Sequence, residues 1–259
     1  MYISFKTFCA LVHRDMTVFW PSLLNRFING AIWVVLTITV FQYILPHMGL
    51  ASDYAVFMAC GNAMSWGFFE VMGNVATLVG DLTGQRAIEY DLTLPLPQWL
   101  VFTRIAVSNA LQAMAIAFFI LPLSKLVLWS NFDLSHICFI KYFLIFIVGN
   151  LFYGFFSLWL SSMTKNLDHL NDVWMRVVFP LWWVGGYQFN WYTTYKISPL
   201  FAYCNLLNPL VYEFEGIRAA ILGQEGYINF WHSFFALLFF SVVVGYIGTK
   251  KFMKRLDCL

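Results

Sequence analysis

Charged residues are scarce in this sequence. Only 11% of its 259 residues are Asp, Glu, Lys or Arg, against about 25% in soluble domains, while 61% are hydrophobic and 20% are aromatic. A soluble fold has no means of hiding so much apolar chain, whereas a bilayer core about 30 Å thick takes about 20 apolar residues per helix. The composition therefore excludes a soluble globular domain and predicts an all-α integral membrane protein.

The sequence also lacks the signatures of several kinds of site. No G-x-x-x-x-G-K-[ST] loop is present, so the chain is not itself a phosphate-loop ATPase. Its five histidines and five cysteines are scattered without the spacing of metal or redox motifs. We therefore predict no catalytic residue, no metal ligand, no cofactor bound by this chain and no nucleic-acid partner.

Apolar runs and their breaks predict six transmembrane helices within a single domain, residues 1–259. The second run contains Glu70, and the fifth contains Arg176 and Pro180, so the fifth span is predicted to be short or kinked. The predicted spans cover 27–46, 54–80, 99–121, 142–162, 173–189 and 231–249.

Basic residues give the orientation, because cytoplasmic loops concentrate Lys and Arg. With both termini in the cytoplasm, eleven of the fifteen basic residues lie inside and four lie outside. The four outside residues are Lys125, Lys141, Lys196 and Arg218. This bias predicts a multi-pass protein with both ends cytoplasmic.

Residues 1–22 are too polar to span a bilayer, but apolar side chains recur there every three or four positions. This pattern predicts an interfacial amphipathic helix. The segment has no continuous apolar core and no small-residue cleavage site, so it does not resemble a secretory signal peptide.

Two polar segments interrupt the apolar pattern. Residues 84–98 begin the stretch GQRAIEYDLTLPLPQWLVFTR, which leads into the third predicted span. Residues 190–224 are apolar but broken, and contain the stretch LLNPLVYEFEGIRAAILG. The breaks favour two short helices that dip into the membrane, a re-entrant external helical hairpin, over one full span.

These two stretches, together with the order of the predicted elements, resemble the membrane subunit of type 2 (ABC-2) ABC exporters. That family includes permeases for polysaccharides, lipid-linked glycans and drugs. The resemblance implies a separate ATPase that binds ATP and Mg, and a location in the bacterial inner (cytoplasmic) membrane. It also implies a second copy of the chain, contact with membrane lipid and an amphipathic substrate that is a glycan, a glycolipid or a drug.

The family resemblance implies that residues 84–98 form a cytoplasmic coupling loop. About two helical turns would place apolar side chains in a groove on the ATPase and charged side chains at its rim. Pro95 and Pro97 would stiffen the connection to the third span. The predicted coupling residues are Gln85, Arg86, Ala87, Ile88, Glu89, Tyr90 and Asp91.

Glu70 is the carboxylate inside a predicted span, where a charge usually faces protein or water. If Glu70 and Arg104 lie on facing helices, they form an ion pair, and a role of Glu70 in the substrate pathway is the second interpretation. A different class of function also stays open: a membrane-embedded lipid or glycan transferase that uses Glu70 or the run His13, Arg14, Asp15.

The resemblance further implies that the external hairpin closes the outer end of the pathway. Asn208 and Pro209 are predicted to break the backbone between its two halves. Glu213, Glu215 and Arg218 are predicted to follow on roughly one helical face. They would either hold the hairpin at the level of the lipid headgroups or meet polar groups of the substrate.

Overall fold

The chain folds into α-helices joined by short loops and helical turns. The computed structural model describes residues 2–51, 53–84 and 86–256, and none of these residues forms a β-strand. The predicted all-helical fold class is therefore confirmed. The helices are α1 (Tyr2–Phe19), α2 (Leu23–Thr39), α3 (Tyr54–Thr83), α4 (Ala87–Thr93), α5 (Gln98–Ala117), α6 (Ile120–Leu128), α7 (Phe139–Met163), α8 (Leu170–Val173), α9 (Phe179–Val184), α10 (Trp191–Ile197), α11 (Pro199–Asn205), α12 (Pro209–Ile221) and α13 (Phe230–Leu256).

Four helical stretches of the described chain are long and apolar enough to cross a membrane. They contain the first, third, fourth and sixth of the predicted spans. The chain is therefore a membrane-embedded protein by the length and composition of its helices, and the count of six spans stays a prediction. The four stretches are Phe5–Met48, Gln98–Leu128, Phe139–Met163 and Phe230–Leu256.

The first stretch joins the predicted interfacial segment to the first span. A 3-10 turn at Trp20–Ser22 separates α1 from α2, and Pro21 lies in that turn. Proline has no backbone N–H to donate to the helix, which explains the change of geometry at this point. Leu11 is buried in a small cluster with Leu96 and Val101, so α1 packs on the segment that leads into α5.

Helix α3 corresponds to the second predicted span but is not one of the four apolar stretches. It has 30 residues and is about 45 Å long. Its polar residues lower its hydropathy, and most of its surface is covered by protein because it packs on α5, α7 and α12. A helix that is mostly covered by other helices can carry polar residues on the sides that do not face lipid.

The fifth predicted span, 173–189, is a series of short helical pieces. Helix α8 continues into a π-helical turn, Trp174–Val178, and then into α9, which begins just before Pro180. Proline removes a helical hydrogen bond, which is consistent with the irregular turn that precedes it. The chain then reverses at Gly186, whose φ of +87° favours glycine.

The predicted hairpin segment, 190–224, contains the three helices α10, α11 and α12. Asn208 separates α11 from α12, and its side-chain oxygen accepts a hydrogen bond from the N–H of Leu210 at 3.0 Å. The break that was predicted at Asn208 and Pro209 therefore lies between α11 and α12. Helix α12 is almost entirely buried between α3, α7 and α13.

Close contact between α5 and α7 depends on Gly154. A Cβ atom at this position would lie 2.1 Å from the carbonyl oxygen of Ala106. Small residues allow this closeness between helix backbones in membrane proteins. The two helices form one wall of the bundle, so Gly154 supports the positions of both.

We expect Gly154→Ala to lower the thermal unfolding midpoint of the chain purified in mild detergent. The added methyl group meets backbone atoms, and overpacking of this kind costs about 1–3 kcal/mol. Gly73→Ala is the matched control, because Gly73 is also helical but no atom lies within 4 Å of its added Cβ. Equal midpoints for the two variants would contradict the close contact.

Candidate functional site

The N-terminus of α4 is attached to the end of α3 by Asp81. The Asp81 carboxylate accepts hydrogen bonds from the backbone N–H groups of Ala87, at 2.9 Å, and Ile88, at 3.0 Å. The backbone carbonyl oxygen of Asp81 accepts a hydrogen bond from the N–H of Arg86 at 2.8 Å. A carboxylate at a helix N-terminus satisfies free donors and complements the helix dipole. Asp81 therefore fixes α4 relative to α3.

The other end of α4 is attached by Asp91, which is buried. Asp91 forms an ion pair with Arg104 of α5, and both terminal nitrogens of Arg14 of α1 donate to it at 3.2 Å. Arg104 also donates to Asp15 of α1 at 2.5 Å, and the Ser108 hydroxyl donates to the same carboxylate at 2.8 Å. This cluster, called the ion-pair hub below, joins α1, α4 and α5.

The hub contains two arginines and two aspartates, so its formal charges cancel. Arg104 and Asp91 are almost completely buried, whereas Arg14 is about half exposed. A buried ion pair adds little net stability over apolar residues, but removal of one partner leaves an uncompensated buried charge. Removal of any one hub residue therefore leaves the charge of its partners incompletely compensated.

The outward face of α4 presents a small mixed surface. The Tyr90 side chain is 66% exposed, and Arg86 and Glu89 form a half-exposed ion pair at 3.3 Å. Ala87 and Thr93 are exposed beside them. This surface, called the α4 outer face below, has an aromatic ring next to two opposite charges.

Two predicted coupling residues do not belong to this face. Ile88 and Asp91 were predicted to contact a partner, but both are buried inside the chain. They are three positions apart, so they share one side of the helix, and Leu92 extends that side toward the bundle. Gln85, also predicted, lies outside the residues that the structure describes.

The predicted ion pair between Glu70 and Arg104 is wrong. Glu70 pairs instead with Arg26 of α2, while Arg104 is engaged in the hub. The physical reason is depth. Glu70 lies 13 positions before the end of α3, about 20 Å along the helix, whereas Arg104 lies only about 9 Å into α5.

A polar cavity of about 670 Å³ lies between α1, α3, α4 and α5. The hub and Asp81 form part of its wall, and Asn74 of α3 and Gln112 of α5 also line it. On α3, Asn74, Thr77 and Asp81 repeat at helical spacing, and Arg104, Ser108 and Gln112 do so on α5. These two polar stripes inside apolar runs are the sequence signal for the cavity.

The sequence analysis did not predict Asp81, Arg26 and Ser108 as site residues. It considered Arg14 and Asp15 only as parts of a transferase site at the membrane interface. In the structure these two side chains belong to the ion-pair hub, and Glu70 is paired with Arg26. No observation among the described residues favours the transferase.

The three charged residues of α12 do not lie on an exposed face. Glu213, Glu215 and Arg218 are all buried, each with at most 1% of its surface exposed. At about 100° per residue, Glu215 lies about 160° around the helix from Glu213, and Arg218 about 140°. Glu215 and Arg218 are three positions apart and share one side of the helix, whereas Glu213 lies on the opposite side, so the prediction that all three share a face is wrong.

Two of these charged side chains attach α12 to loops at one end of the bundle. Glu215 accepts hydrogen bonds from the backbone N–H groups of Trp191, at 2.7 Å, and Ile228, at 2.8 Å. Arg218 donates to the carbonyl oxygens of Gly186 and Tyr187, and its guanidinium lies 3.5 Å from the centre of the Phe57 ring. Charge-assisted bonds of this kind fix loop backbone.

Asn208 and Pro209 are placed as the start of α12. The Asn208 side chain caps the helix and also donates to the carbonyl oxygen of Leu181 at 2.7 Å. Pro209 occupies the first turn, where its missing N–H has no helical partner to lose. The predicted gate residues therefore connect α12 to α9 and to the neighbouring loops.

A second cavity, of about 610 Å³, lies at the same end of the bundle as Arg218. Aromatic rings of Tyr54, Phe57, Phe189 and Tyr227 line it. Asp133 is at its rim, and hydrogen bonds from Ser135 lower the pKa of the Asp133 carboxyl. The carboxyl is therefore ionised at neutral pH, which gives this cavity an acidic edge.

Among the described residues, no group of three or more His, Cys, Asp or Glu side chains is arranged to hold a metal ion. A scan against protein-family models finds no match to the chain, and a search of curated proteins finds none either. The resemblance to ABC-2 permeases therefore depends on the two quoted stretches and on the order of the elements.

We expect Arg104→Met to lower the thermal unfolding midpoint in detergent strongly, because it leaves Asp15 and the buried Asp91 with only the half-exposed Arg14 as a cation. Breaking a buried ion pair in this way costs about 3–5 kcal/mol. Arg86→Met, which breaks the exposed ion pair with Glu89 of α4, is the control, and its effect should be at most about 0.5–1 kcal/mol. A midpoint for Arg104→Met close to that of the wild type would show that the hub does not hold these helices.

Proposed function

We propose that the chain is the membrane-spanning subunit of an ATP-driven type 2 ABC exporter, and that α4 is its coupling helix. A separate ATPase subunit binds ATP and Mg and contacts the α4 outer face. Six spans and a re-entrant external hairpin form the membrane domain. The protein lies in the bacterial inner membrane, with both termini in the cytoplasm.

One observation carries this proposal: α4 is a short helix fixed at both ends to the bundle, with an exposed face. Asp81 attaches it to α3, and Asp91 attaches it to α5 and α1. A solvated loop needs no buried ion pairs to hold its position. A helix that receives force from a partner does, since a flexible attachment would absorb the displacement.

A displacement of α4 would be transmitted through these attachments to three other helices. The hydrogen bonds of Asp81 would transmit it to α3, the ion pair with Arg104 to α5, and the bonds of Arg14 to α1. In this mechanism ATP binding closes a pair of ATPase subunits and moves both copies of α4. Hydrolysis then resets the pair.

The path for the substrate lies between two copies of the chain in this proposal. An amphipathic substrate such as a glycan, a glycolipid or a drug moves outward as the two copies shift. The polar cavity beside the hub supports this proposal, because it brings polar groups next to the coupling helix inside an otherwise apolar bundle. A water-accessible region of this kind is typical of membrane transport proteins.

A charge swap on the α4 outer face tests the docking. The double variant Arg86→Glu with Glu89→Arg keeps an ion pair between positions 86 and 89, but it reverses the surface that a partner meets. We expect the tagged variant, purified in mild detergent from its native host, to recover at least about tenfold less ATPase than the wild type, as mass spectrometry measures.

Glu225→Lys is the matched control, because Glu225 is an exposed charge on a loop that the proposal places on the opposite side of the membrane. It should leave ATPase recovery unchanged. The docking role of α4 would be refuted if the charge swap recovered as much ATPase as the control. Recovery of no ATPase by the wild type, even after crosslinking, would refute the exporter function itself.

A further inference from the structure

Glu213 is a fully buried carboxyl group with no cationic partner among the described residues. The two other charged residues of α12 are satisfied, Glu215 by two backbone N–H groups and Arg218 by backbone carbonyl oxygens. Both carboxyl oxygens of Glu213, in contrast, are buried without a hydrogen-bond partner within the described chain. The proposed function makes no use of this residue, so its role needs a separate explanation.

The surroundings of Glu213 come from α3 and α7. A Cβ atom added to Gly149 of α7 would lie 2.7 Å from one Glu213 oxygen and 2.5 Å from the terminal methyl of Met64 of α3. Gly149 therefore provides the space that the carboxyl group occupies. The phenol of Tyr153, one helical turn further along α7, interacts electrostatically with Glu213.

Tyr153 has the same deficit as Glu213. It is buried, and its hydroxyl has no hydrogen-bond partner among the described residues. Two unsatisfied polar groups therefore face each other between α7 and α12. A buried hydroxyl or carboxyl without a partner is rare in native proteins, and each such group calls for a physical explanation.

The charged and titratable groups on the neighbouring elements do not neutralise an ionised Glu213. On α12 itself, Arg218 and Glu215 lie on the side of the helix that faces away from Glu213. On α3, Cys60 interacts with Arg218, and Glu70 is paired with Arg26. From α7 the only titratable side chain described as interacting with Glu213 is Tyr153, and α13 contributes Ser233 to the packing of α12.

An ionised carboxylate in this position would be costly. Burying one charge without a counter-ion costs more free energy than a single hydrogen bond from a hydroxyl group returns. A protonated carboxyl group avoids the penalty. It can donate its hydrogen to the Tyr153 oxygen, or accept the hydroxyl hydrogen on its carbonyl oxygen, so the deficit of both groups disappears.

We propose that Glu213 and Tyr153 form a proton-binding site that holds α12 against α7. In the packed state Glu213 carries a proton and is hydrogen-bonded to Tyr153. Any movement that separates α12 from α7 and admits water releases that proton to the solvent, because a hydrated carboxyl group ionises at neutral pH. Opening of this contact is therefore coupled to loss of one proton, and closure to uptake of one.

The sign of the pH dependence follows from proton linkage. Above the ordinary glutamate pKa of about 4.3, the unfolded chain has lost the Glu213 proton while the folded chain keeps it. The folded state then binds more protons, so its stability falls as pH rises until the site itself deprotonates. Glu213→Gln keeps the shape and neutrality of the protonated side chain, and removes this dependence.

The test is the thermal unfolding midpoint of the full chain in mild detergent, measured from about pH 5 to about pH 9, where buried glutamates are known to titrate. We expect the midpoint of Glu213→Gln to exceed that of the wild type increasingly as pH rises, by about 3 °C per pH unit. All other titrating groups are common to the two proteins, so the difference between them isolates Glu213.

Glu215→Gln is the matched control, with the same substitution two positions along the same buried helix. Glu215 uses both oxygens as acceptors, and an amide supplies only one acceptor oxygen, so this variant should be less stable than the wild type. Parallel midpoint curves for Glu213→Gln and the wild type would overturn the proposal, because the residue would then not hold a proton that the unfolded chain loses.

Infrared spectroscopy gives a second readout that does not depend on unfolding. The folded wild type should show the C=O stretching band of a protonated carboxyl group at neutral pH. Glu213→Gln should remove that band, and Tyr153→Phe should shift it because its hydrogen bond is lost. A band that persists unchanged in Glu213→Gln would assign the proton to another residue and refute the site.

Discussion

The constraint on which this structure depends is that a charge inside an apolar bundle must be met by another part of the same chain. Arg104 shows it most clearly. It lies within a helix apolar enough to span a membrane, yet its guanidinium is engaged by carboxylates from two other helices. Satisfying this one charge requires α1, α4 and α5 to lie together, so a local electrostatic requirement fixes the relative positions of distant parts of the sequence.

The same requirement operates at the other end of the bundle with different chemistry. Arg218 is met by backbone carbonyl oxygens and an aromatic face, and Glu215 by backbone N–H groups. Backbone groups in irregular segments are otherwise expensive to bury, and these two side chains satisfy them. Loops that precede α10 and α13 are thereby held to the central helix α12.

The positions of the helices along the chain could be predicted from the sequence more reliably than the side of each helix that faces the bundle interior. Apolar runs and proline or glycine breaks follow directly from composition, so the helices around the predicted spans and the break at Asn208 were found. The partner of Glu70 was not, because an ion pair depends on the relative depth of two helices, which no local pattern records. For α12, three charged residues suggested exposure, because the sequence does not show the loop N–H and carbonyl groups that the fold brings to Glu215 and Arg218.

Helix α3 connects the two ends of this arrangement. Its last turns carry Asp81, which caps α4, and its first turns carry Phe57, which stacks on Arg218, and Asn62, which accepts a hydrogen bond from Tyr187 at 2.6 Å. A regular helix resists compression along its axis, because every turn is held by its own hydrogen bonds. Under the proposed function, a push on α4 therefore reaches the loops held by Arg218 through one uninterrupted element, without a series of flexible joints. Glu213 lies beside this helix, at the contact between α12 and α7, so a shift of α3 against its neighbours would act on the packing that keeps this carboxyl group dry.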